Sequence, residues 1–484
     1  GGSDIEEFLL ALDDSTNTVK GTITLTDPAS EAQATLDVTG VTDATGYVKV
    51  AVTGHSGATG FSNGLPVSFQ FSRAGDVGGG LSEFTQDGLE AYPRPALSKM
   101  RDALSALDLM GSGGLDEAVR YREVTSSDAP EITAAMQEAF AYCEATCALN
   151  IPCGIYYLDD ALEAGGPLSL LGEGEGFSIL QWISSAADEG IRIALDTDSY
   201  EITTIENLQL LTEKSHVGTA FRLDGSAQVS GGSILTRDRS RLKMRNVTTR
   251  GASGATVDGW DGGIDLENVL GATLNSVNVC GHRSVLGSPA ESAFGIKFYG
   301  DGQPAQLVIA QSFIRAVADG LISQDAEGVY VFGNEFTSVD RGVTVDNAAL
   351  EPAFSFTNNH IAAIEYGLSL EYALQAIVSG NYLYAQAAAS GPVDLVIIEE
   401  NSDNCKINDN FLGNPGASVT TRGIVFKGDN HEADGNTFSH GVGADNIVIE
   451  ATCARVRIGK NFNRQGDVKI LNSGTNSVFE EFYG

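Results

Sequence analysis

A six-residue pattern of apolar and polar positions recurs through the second half of the chain. Each copy has an apolar residue, two variable residues, an asparagine, a spacer and a second apolar residue. The copies are Val331–Phe336, Phe356–Ile361, Val378–Leu383, Ile407–Leu412 and Ala433–Phe438. Val308–Phe313 has Gln311 in place of the asparagine, and Ile458–Asn463 ends on Asn463 in place of the second apolar residue. Successive polar positions from 311 to 461 are 22 to 29 residues apart, which indicates stacked rungs that share a core.

The spacing inside the pattern predicts the shape of a rung. The two apolar positions are five residues apart, so one straight strand would point them to opposite faces. A sharp turn at the asparagine restores the phase, because asparagine accepts the left-handed conformation. A second apolar run usually follows, as in Gly342–Val345 and Leu395–Ile398. Three short strands per turn describe an all-β parallel β-helix with stacked asparagines; a β-sandwich is the alternative, although sandwiches rarely keep such a period.

Alternating apolar and polar residues also mark the N-terminal part of the chain. The runs are Gly21–Thr26, Ala34–Val38, Tyr47–Val52 and Val67–Phe71. Turn residues separate them, which predicts a small antiparallel β-domain over residues 1–80. The glycine-rich stretch 75–80 is typical of a flexible break.

Residues 81–114 are expected to form a linker and a short neck helix. Within 95–110, Leu97, Met100, Leu104 and Leu107 have the spacing of a coiled-coil seam. Two heptads are short for an independent coiled coil, so the helix makes sense as a neck between protomers already joined elsewhere. An amphipathic helix packed on its own chain is an equal alternative. The stacked rungs are then expected over 115–465, with a C-terminal cap over 466–484.

Composition agrees with a large core that has many turns. The 484 residues include 57 Gly and only 12 Pro, and 42% are hydrophobic. A formal net charge of −35 repels phosphate backbones, so we expect no nucleic-acid binding. The same charge repels acidic polysaccharides unless a local basic patch or bound cations intervene. No apolar stretch is long enough to cross a bilayer and no signal peptide opens the chain, so we expect no membrane insertion.

The cysteines are expected to be structural. Cys280, Cys405 and Cys453 are isolated within rungs and fit the core. Cys143, Cys147 and Cys153 cluster, but their spacing matches no standard zinc pattern and no fourth ligand lies nearby. We therefore expect small buried side chains beside a helix that caps the first rung, and no metal site.

Residues 120–185 resemble the opening of the pectate-lyase-like superfamily. Ser127–Phe140 is an amphipathic helix with a plausible Asp128 or Ser127 cap, and its Ala-Ala-Met-Gln stretch is similar to the helix that plugs the first rung in that superfamily. Strand patterns and a Gly-Glu-Gly turn in Leu171–Gly176 follow. The usual Pro-x-Gly-Thr-Tyr stretch is replaced by Asp159–Ala164, and the segment 147–153 is unusual. The resemblance implies a right-handed parallel β-helix; it leaves the chemistry open, because this fold hosts lyases, hydrolases and binding proteins.

The N-terminal part carries a second resemblance. Gly46–Gly54 followed by Pro66–Asp76, with its Phe-Ser-Arg-x-Gly-Asp run, looks like a β-module of bacteriophage tail fibres. Attachment module, neck helix and β-helix, in that order, resemble a phage tailspike. The resemblance implies a homotrimer in the virion tail, joined to other tail or baseplate proteins through its N-terminal domain. It also implies binding, and often cleavage, of a bacterial surface polysaccharide such as capsule or lipopolysaccharide.

Glycan hydrolysis needs two carboxylates on the outer face of rungs in the middle of the stack. The first candidate group is Asp258, Asp261, Asp265 and Glu267 around Trp260, an aromatic platform for a sugar ring. The second group comprises Asp319, Asp325, Glu327, Glu335 and Asp340, with Arg315 and Arg341 nearby. Carboxylates on adjacent rungs are ~4.8 Å apart and can form a catalytic pair. Most of the 64 carboxylates nevertheless solvate the surface.

Three functions fit these patterns. The first is a tailspike or tail fibre that recognises a surface glycan and depolymerises it, and the second is a spike that only binds the glycan. The third is a secreted bacterial polysaccharide lyase, in which a base such as His282 works with Arg283 or bound calcium on a uronate. We expect no cofactor other than this possible calcium. Residues 464–484 remain to close the stack, and Val478–Gly484 is apolar enough to fold over the open rung.

Overall fold

The computed structural model describes most of the chain between residues 19 and 479. The described residues are 19–26, 33–44, 47–57, 68–73, 83–84, 94–95, 104–105, 126, 129–144, 148–174, 176, 178–184, 189–195, 202–229, 241–284, 289–301, 304–414, 419–439, 445–464 and 466–479. They belong to two compact units, one within residues 1–87 and 93–102 and the other within 88–92 and 103–484.

The N-terminal unit contains an antiparallel sheet. Its strands are β1 (Gly21–Thr26), β2 (Gln33–Ala44), β3 (Tyr47–Gly57) and β4 (Ser68–Arg73), in the spatial order β3-β2-β1-β4. Alternation along the strands places Ile23, Val38 and Val41 together in a small buried cluster. The antiparallel sheet that the alternating patterns predict is confirmed, and its role in attachment stays a prediction.

Three two-residue strands follow, β5 (Glu83–Phe84), β6 (Arg94–Pro95) and β7 (Leu104–Ser105). β5 pairs with β6, and Leu104 of β7 pairs in parallel with Leu149 of β8 (Ala148–Ile151). Leu104 belongs to the predicted coiled-coil seam, so a continuous neck helix over 95–110 is wrong at this residue, because its backbone is extended in a strand pair. Leu97, Met100 and Leu107 lie outside the described residues.

The second unit is a parallel β-solenoid of about 11 turns. The unit has helix α1 (Ala129–Cys143) between β7 and β8 in chain order. Its elements after β8 are, in chain order, β9 (Gly154–Leu158), β10 (Leu162–Ala164), β11 (Ser169–Gly172), β12 (Ser178–Trp182), β13 (Glu189–Ala194), β14 (Thr203–Thr212), β15 (Ser215–Asp224), α2 (Ser226–Val229), β16 (Leu242–Gly251), β17 (Gly259–Glu267), β18 (Leu270–Asn275), β19 (Asn278–Cys280), β20 (Phe294–Tyr299), β21 (Ala305–Ala310), β22 (Phe313–Arg315), β23 (Asp319–Gln324), β24 (Glu327–Phe332), β25 (Glu335–Pro352), β26 (Ser355–Thr357), β27 (His360–Leu374), β28 (Ile377–Ser379), β29 (Tyr382–Ala385), β30 (Val393–Ile398), β31 (Lys406–Asn408), β32 (Phe411–Gly413), β33 (Thr421–Phe426), β34 (Glu432–Asp434), β35 (Thr437–Ser439), β36 (Ile447–Ile449), β37 (Arg457–Ile458), β38 (Phe462–Asn463), β39 (Ile470–Asn472) and β40 (Val478–Phe479).

Successive turns stack their strands into three parallel sheets. The first sheet contains β8, β11, β18, β21, β24, β26, β28, β31, β34, β37 and β40. The second contains β9, β12, β19, β22, β29, β32, β35 and β38, and the third contains β10, β13, β15, β17, β20, β23, β30, β33, β36 and β39. The long strands β14 and β16 bend from the first sheet into the second, and β25 and β27 bend from the second into the third. One continuous apolar core fills the space between the three sheets.

Helix α1 packs on the first turn as the family resemblance implies. Its apolar face buries Ile132, Met136 and Phe140 in the solenoid core. The Gln137 amide donates to Glu163 O at 2.7 Å and accepts from Glu163 N at 2.8 Å, which satisfies the edge of β10. The predicted cap residues 127 and 128 lie outside the described residues. Among the helices that the structure describes, none is long and apolar enough to cross a membrane.

The recurrent asparagines form a ladder at the corner between the first and second sheets. The buried members are Asn334, Asn359, Asn381, Asn410, Asn436 and Asn461. From Asn359 onward, each Oδ1 accepts hydrogen bonds from the backbone N–H and the Nδ2 of the preceding asparagine, at 2.9 to 3.0 Å. The ladder that the sequence predicts is confirmed, and so are the inward positions of Val331 and Phe336 on either side of its first member.

Before each of the first five ladder asparagines, the preceding residue is the left-handed residue of this corner. Gly333, Asn358, Gly380, Asp409 and Gly435 have φ between 55° and 68°. The prediction that the ladder asparagine itself is left-handed is therefore wrong. The preceding residue makes the turn, and the asparagine is left free to direct its amide along the stack to the next rung.

The rung before the ladder is displaced by one residue from the predicted alignment. Ile309 pairs with Val331 and Ile314 with Phe336, so the ladder position belongs to Ser312 and not to Gln311. Ser312 N donates to Asn334 Oδ1 at 2.9 Å, while Gln311 has φ 51° and makes the turn. The shift explains why Phe313 is 52% exposed although the sequence pattern assigns it to the core.

The remaining structural predictions concern cysteines and the C-terminal end. Cys405 and Cys453 join the core as predicted, and Cys280 is buried on the strand face opposite the core residue Val279. Cys147 lies outside the described residues.

The rungs continue beyond the predicted boundary at 465, because β39 pairs with β36 and β40 with β37. Val478 and Phe479 thus extend the first sheet; residues 480–484 lie outside the described residues.

Candidate carboxylate site on the third sheet

Charged side chains lie in register on the outer face of the third sheet. Arg222 on β15, Asp265 on β17 and Lys297 on β20 occupy matching positions of consecutive rungs. Each step between rungs is ~4.8 Å, so the carboxylate lies between two cations. On either side of Asp265 along β17, Ile264 and Leu266 point into the core and hold the strand in this phase. Glu267 follows two residues later and therefore shares the outer face.

Arg222 is the centre of this cluster. Its guanidinium contacts Glu267 Oε2 at 2.6 Å, Glu189 Oε1 at 3.1 Å and Asp265 Oδ2 at 3.9 Å. The Tyr299 hydroxyl donates a second hydrogen bond to Glu267 Oε2 at 3.1 Å. The Glu267 carboxylate thus accepts hydrogen bonds from two side chains. We call these residues, with Lys297, the Arg222 cluster.

Asp265 has the most perturbed carboxyl of the cluster. Burial raises its pKa from 3.8 to about 6, and the neighbouring Glu267 and Glu189 carboxylates add to the rise, while Arg222 and Lys297 oppose it. Asp265 is 7% exposed, and its Oδ1 has no hydrogen-bond partner among the residues that the structure describes. Two carboxyl groups in distinct environments, one readily protonated and one held by cation and hydroxyl, are what acid–base chemistry on a glycosidic bond requires.

A second charged cluster lies farther along the same sheet. Asp319 at the start of β23 pairs in register with Arg341 within β25, which pairs with Tyr366 within β27. Arg341 Nη2 donates to Asp319 Oδ2 at 2.6 Å, and Thr344 Oγ1 lies 3.4 Å from Asp319 Oδ1 and 3.0 Å from the Tyr366 hydroxyl. Burial raises the pKa of Asp319, and Arg341 opposes this rise. Both carboxylate oxygens have partners inside the protein, so this cluster stabilises the corner and offers no free acceptor.

Trp260 is not an aromatic platform. It is 2% exposed, its indole N–H donates to Leu210 O at 3.1 Å, and its ring meets Trp182 edge to face at 5.4 Å. The prediction is wrong because Trp260, the second residue of β17, shares the inward face of Ile264 and Leu266, where its ring fills the core. Asp258 is also buried, and it accepts from the backbone N–H groups of Ser253 and Gly254 at 3.0 to 3.1 Å. Its carboxylate therefore shapes a turn and does not face a substrate.

Several other predicted site residues make structural contacts. Asp340 is buried and accepts from Arg283 Nη2 at 2.9 Å and from Ala290 N at 3.0 Å. Burial lowers the pKa of Arg283, and the attraction of Asp340 opposes this. His282 is also buried, with Nδ1 2.9 Å from Glu291 Oε2. His282 and Arg283 are therefore not an exposed pair that could act on a uronate.

The rest of the second candidate group is dispersed. Glu335 and Arg315 lie on the second sheet, away from the Arg222 cluster on the third. Glu335 Oε1 is 4.0 Å from His360 Nδ1. Asp261 remains on the outer face near Asp265, where its Oδ1 accepts from Ala293 N at 3.3 Å. Of the nine candidate carboxylates, Asp261, Asp265 and Glu267 lie on the same strand, β17.

Exposed aromatic rings follow Glu335 along the second sheet. Glu335, His360, Tyr382 and Phe411 are in register on successive rungs. The Tyr382 and Phe411 rings stack at 4.8 Å with 19° between their planes, and Arg464 covers the Phe411 ring at 5.0 Å. The ring faces are thus occupied by one another and by Arg464. These aromatics stabilise the stack and do not present open faces to a sugar.

Glu189, Arg222, Lys297 and Tyr299 were not found by the sequence analysis. Their rungs lie before the first asparagine repeat, and the intervals along one file, from Arg222 to Asp265 and then to Lys297, are unequal because loops of different length intervene. The available signal was the alternation of charge with apolar core residues in β15, β17 and β20. Among the described residues, no group of three or more His, Cys, Asp or Glu side chains is arranged to hold a metal ion. Calcium binding stays a prediction.

Comparison with known proteins gives structural likenesses at low identity. No protein-family model matches the chain, and no curated protein matches its sequence. The N-terminal fragment of gene product 12 of bacteriophage phi29 is 11% identical, over 74% of this chain and 70% of that one, with a TM-score of 0.46. The enzymatically active domain of tailspike protein 2 of bacteriophage CBA120 is 14% identical, over 74% and 47%, with a TM-score of 0.44.

A third solved structure is that of an enzyme. DFA-IIIase from Arthrobacter chlorophenolicus A6, without its lid, is 12% identical, over 77% of this chain and 99% of that one, with a TM-score of 0.47. The chain spans less than half of the tailspike domain and almost all of this enzyme. Likenesses of this size transfer neither a substrate nor a partner, because one fold hosts many functions.

Proposed function

We propose that this protein is a phage tailspike or tail fibre that recognises a bacterial surface polysaccharide and cleaves it at the Arg222 cluster. The observation that carries the proposal is the pair Asp265 and Glu267, two outward carboxyl groups of one strand in different electrostatic environments. The order of an N-terminal β-module before a β-solenoid, similar to that of tailspikes, supports placing the protein in a virion tail. Recognition of the glycan and its cleavage are parts of one proposal, and they are tested separately.

In the proposed reaction, Asp265 is the acid and Glu267 is the base. The protonated Asp265 carboxyl gives its proton to the glycosidic oxygen as the bond to the anomeric carbon breaks. A water attacks that carbon from the opposite face and loses its proton to Glu267. Arg222 and Tyr299 hold the Glu267 carboxylate in position. Residues i and i+2 of a strand are ~6.6 Å apart, close to the carboxyl separation of ~6.5–9.5 Å that leaves room for a water, so inversion at the anomeric carbon is expected.

The test starts with strains that the protein binds. Purified capsule and lipopolysaccharide from these strains are incubated with the protein, and new reducing ends and oligosaccharide lengths are measured. Asp265→Asn is expected to lower the cleavage rate by about 10²–10⁴-fold, as for loss of a general acid. Asp319→Asn is the matched control, because it changes a buried carboxylate of the same sheet that is already paired with Arg341.

The outcomes separate the alternatives. Full-length glycan after incubation with wild-type protein that binds the same cells supports a spike that only binds. If wild type and Asp265→Asn cleave the glycan at equal rates, the reaction does not take place at the Arg222 cluster. An unsaturated sugar at the new non-reducing end identifies a lyase. Light scattering tests assembly, since the tailspike proposal requires a homotrimer and a monomer in solution contradicts it.

A further inference from the structure

A groove lies on the outside of the first sheet, away from the Arg222 cluster. It has a volume of about 620 Å³, which is within the range of sites for small ligands. Two parallel files of side chains form its walls over four rungs. One file is the corner residues Gln375, Asn404, Asn430 and Arg455, all with φ between 56° and 61°. The other file is the strand residues Ile377, Lys406, Glu432 and Arg457, which lie two positions later on each rung.

The lining is basic, in contrast to the chain as a whole. Lys406, Arg455 and Arg457 face one lining carboxylate, Glu432, in a protein whose net charge is −35. Glu432 Oε1 is 3.3 Å from Arg457 Nη1, so its charge is directed toward that arginine. Arg455 donates to Asn430 Oδ1 at 2.5 Å and contacts Asp429 at 3.5 Å, which fixes its guanidinium at the rim.

Lys406 is the cation that the groove leaves available. On the preceding rung its neighbour in the file is Ile377, which carries no charge, and on the following rung Glu432 is paired with Arg457. The Lys406 side chain is exposed and has no hydrogen bond or ion pair with any residue that the structure describes. An ammonium that no carboxylate binds directly, in a groove that two arginines also line two rungs away, is a local anion-attracting point in a strongly acidic protein.

The other lining groups fit a sugar. The amides of Gln375 and Asn404 are exposed and can donate to and accept from hydroxyl groups. Ile377 is 46% exposed and offers an apolar surface for the carbon face of a ring. The cations supply charge-assisted hydrogen bonds to a carboxylate.

From this arrangement we propose that the groove binds a carboxylate-bearing sugar unit, a uronate or a sialate, of the polysaccharide that the protein recognises. The proposal rests on the proposed glycan recognition and names its substrate class. It does not depend on cleavage, because the groove and the Arg222 cluster lie on different sheets. The net negative charge then repels an acidic glycan from most of the surface, and the glycan is held in the groove that Lys406, Arg455 and Arg457 line.

The experiment measures binding of labelled oligosaccharides by fluorescence anisotropy at low salt. The probes are hexagalacturonate, a sialic acid hexamer and the neutral maltohexaose. Wild-type protein is expected to bind at least one acidic probe and not the neutral one, with affinity that falls as salt rises. Lys406→Ala is expected to weaken that binding about tenfold, as for loss of one charge-assisted hydrogen bond.

Lys243→Ala is the matched control. Lys243 is exposed on the same outward file of the first sheet, six rungs before Lys406, and its substitution is expected to leave binding unchanged. Absence of binding to both acidic probes, or equal binding by wild type and Lys406→Ala, overturns the proposal. If the protein binds an acidic probe through Lys406 but cuts no glycan, the groove proposal is supported and only the proposed cleavage is contradicted. If the protein cuts a host glycan but binds no acidic probe, only the groove proposal is contradicted.

Discussion

Asn410 lies in the middle of the asparagine ladder, and its replacement by alanine removes four side-chain hydrogen bonds. Its Nδ2 donates to Val378 O at 2.9 Å and to Asn436 Oδ1 at 3.0 Å, and its Oδ1 accepts from Asn381 N at 3.0 Å and Asn381 Nδ2 at 2.9 Å. Asn436 Oδ1 keeps its bond from Asn410 N, and Asn381 Nδ2 keeps its bond to Phe356 O. The buried Asn381 N–H, however, loses its partner in the ladder.

The magnitude follows from these losses. An unsatisfied buried N–H costs about 1–3 kcal/mol, and each of the other three bonds contributes about 1 kcal/mol. We therefore expect Asn410→Ala to lower the free energy of unfolding by about 4–6 kcal/mol. Asn410→Ser is expected to lose less, because Ser312 already occupies the equivalent position of an earlier rung and accepts from Val277 N at 3.0 Å.

The assay is guanidinium unfolding followed by far-ultraviolet circular dichroism at fixed protein concentration, with the slope of each transition compared between variants. Asn401→Ala is the control: this asparagine is exposed in a turn of the same solenoid, and the expected change is within about 0.5 kcal/mol. An Asn410→Ala loss below about 1 kcal/mol, or one equal to that of Asn401→Ala, would mean that the ladder bonds do not stabilise the stack as reasoned from their geometry.

Three further predictions address charge and the end of the stack. Folding raises the Asp265 pKa to about 6, so the unfolding free energy of the wild type falls as the pH rises from about 4 through 6, and Asp265→Asn avoids this loss. In urea unfolding, the unfolding free energy of Asp265→Asn relative to wild type is expected to be about 3 kcal/mol higher at pH 8 than at pH 4. The same difference between variant and wild type at both pH values would contradict the raised pKa. Asp340→Ala leaves the buried Arg283 guanidinium without its carboxylate and is expected to lower the unfolding free energy by about 3–5 kcal/mol. In a double-mutant cycle, adding Arg283→Met is expected to recover most of this loss of unfolding free energy. A double variant as unstable as Asp340→Ala alone would contradict the role of the pair. Deleting residues 470–484 removes β39 and β40 and bares the edges of β36 and β37, so light scattering should detect aggregation; unchanged solubility and melting refute this.

The sequence predicts the solenoid well where its repeats are regular. From Asn334 to Asn461 the ladder, the inward apolar pairs and the three-strand turn are all present. The pattern fails by one residue at Gln311, because alignment to the other copies is ambiguous when serine takes the ladder position. It also assigns the left-handed conformation to the wrong residue, since a glycine, asparagine or aspartate precedes each of the first five ladder asparagines and accepts that conformation as well as or better than asparagine.

The carboxylate site was predictable only in part. Asp265 and Glu267 follow from alternation in one strand, but Trp260 was assigned to the surface because no repeat fixes the inward phase at the start of β17. Arg222 and Glu189 come from other rungs, and pairing them with Asp265 requires a register that loops of unequal length hide. The perturbed pKa of Asp265 depends on burial, which composition does not reveal.

Stacking itself explains which charges remain available for function. Arg422 and Asp394 lie in register on neighbouring rungs and meet at 2.6 Å, and Lys427 and Glu399 meet at 3.0 Å one rung apart. A rung spacing of ~4.8 Å brings every outward side chain within reach of the one above and the one below, so opposite charges in a file neutralise each other. A charge that lacks this compensation must be bordered by an uncharged residue or by a partner already engaged, as Lys406 is by Ile377 and Glu432. In a solenoid, such interruptions of a file are therefore the places where a ligand can replace the missing neighbour.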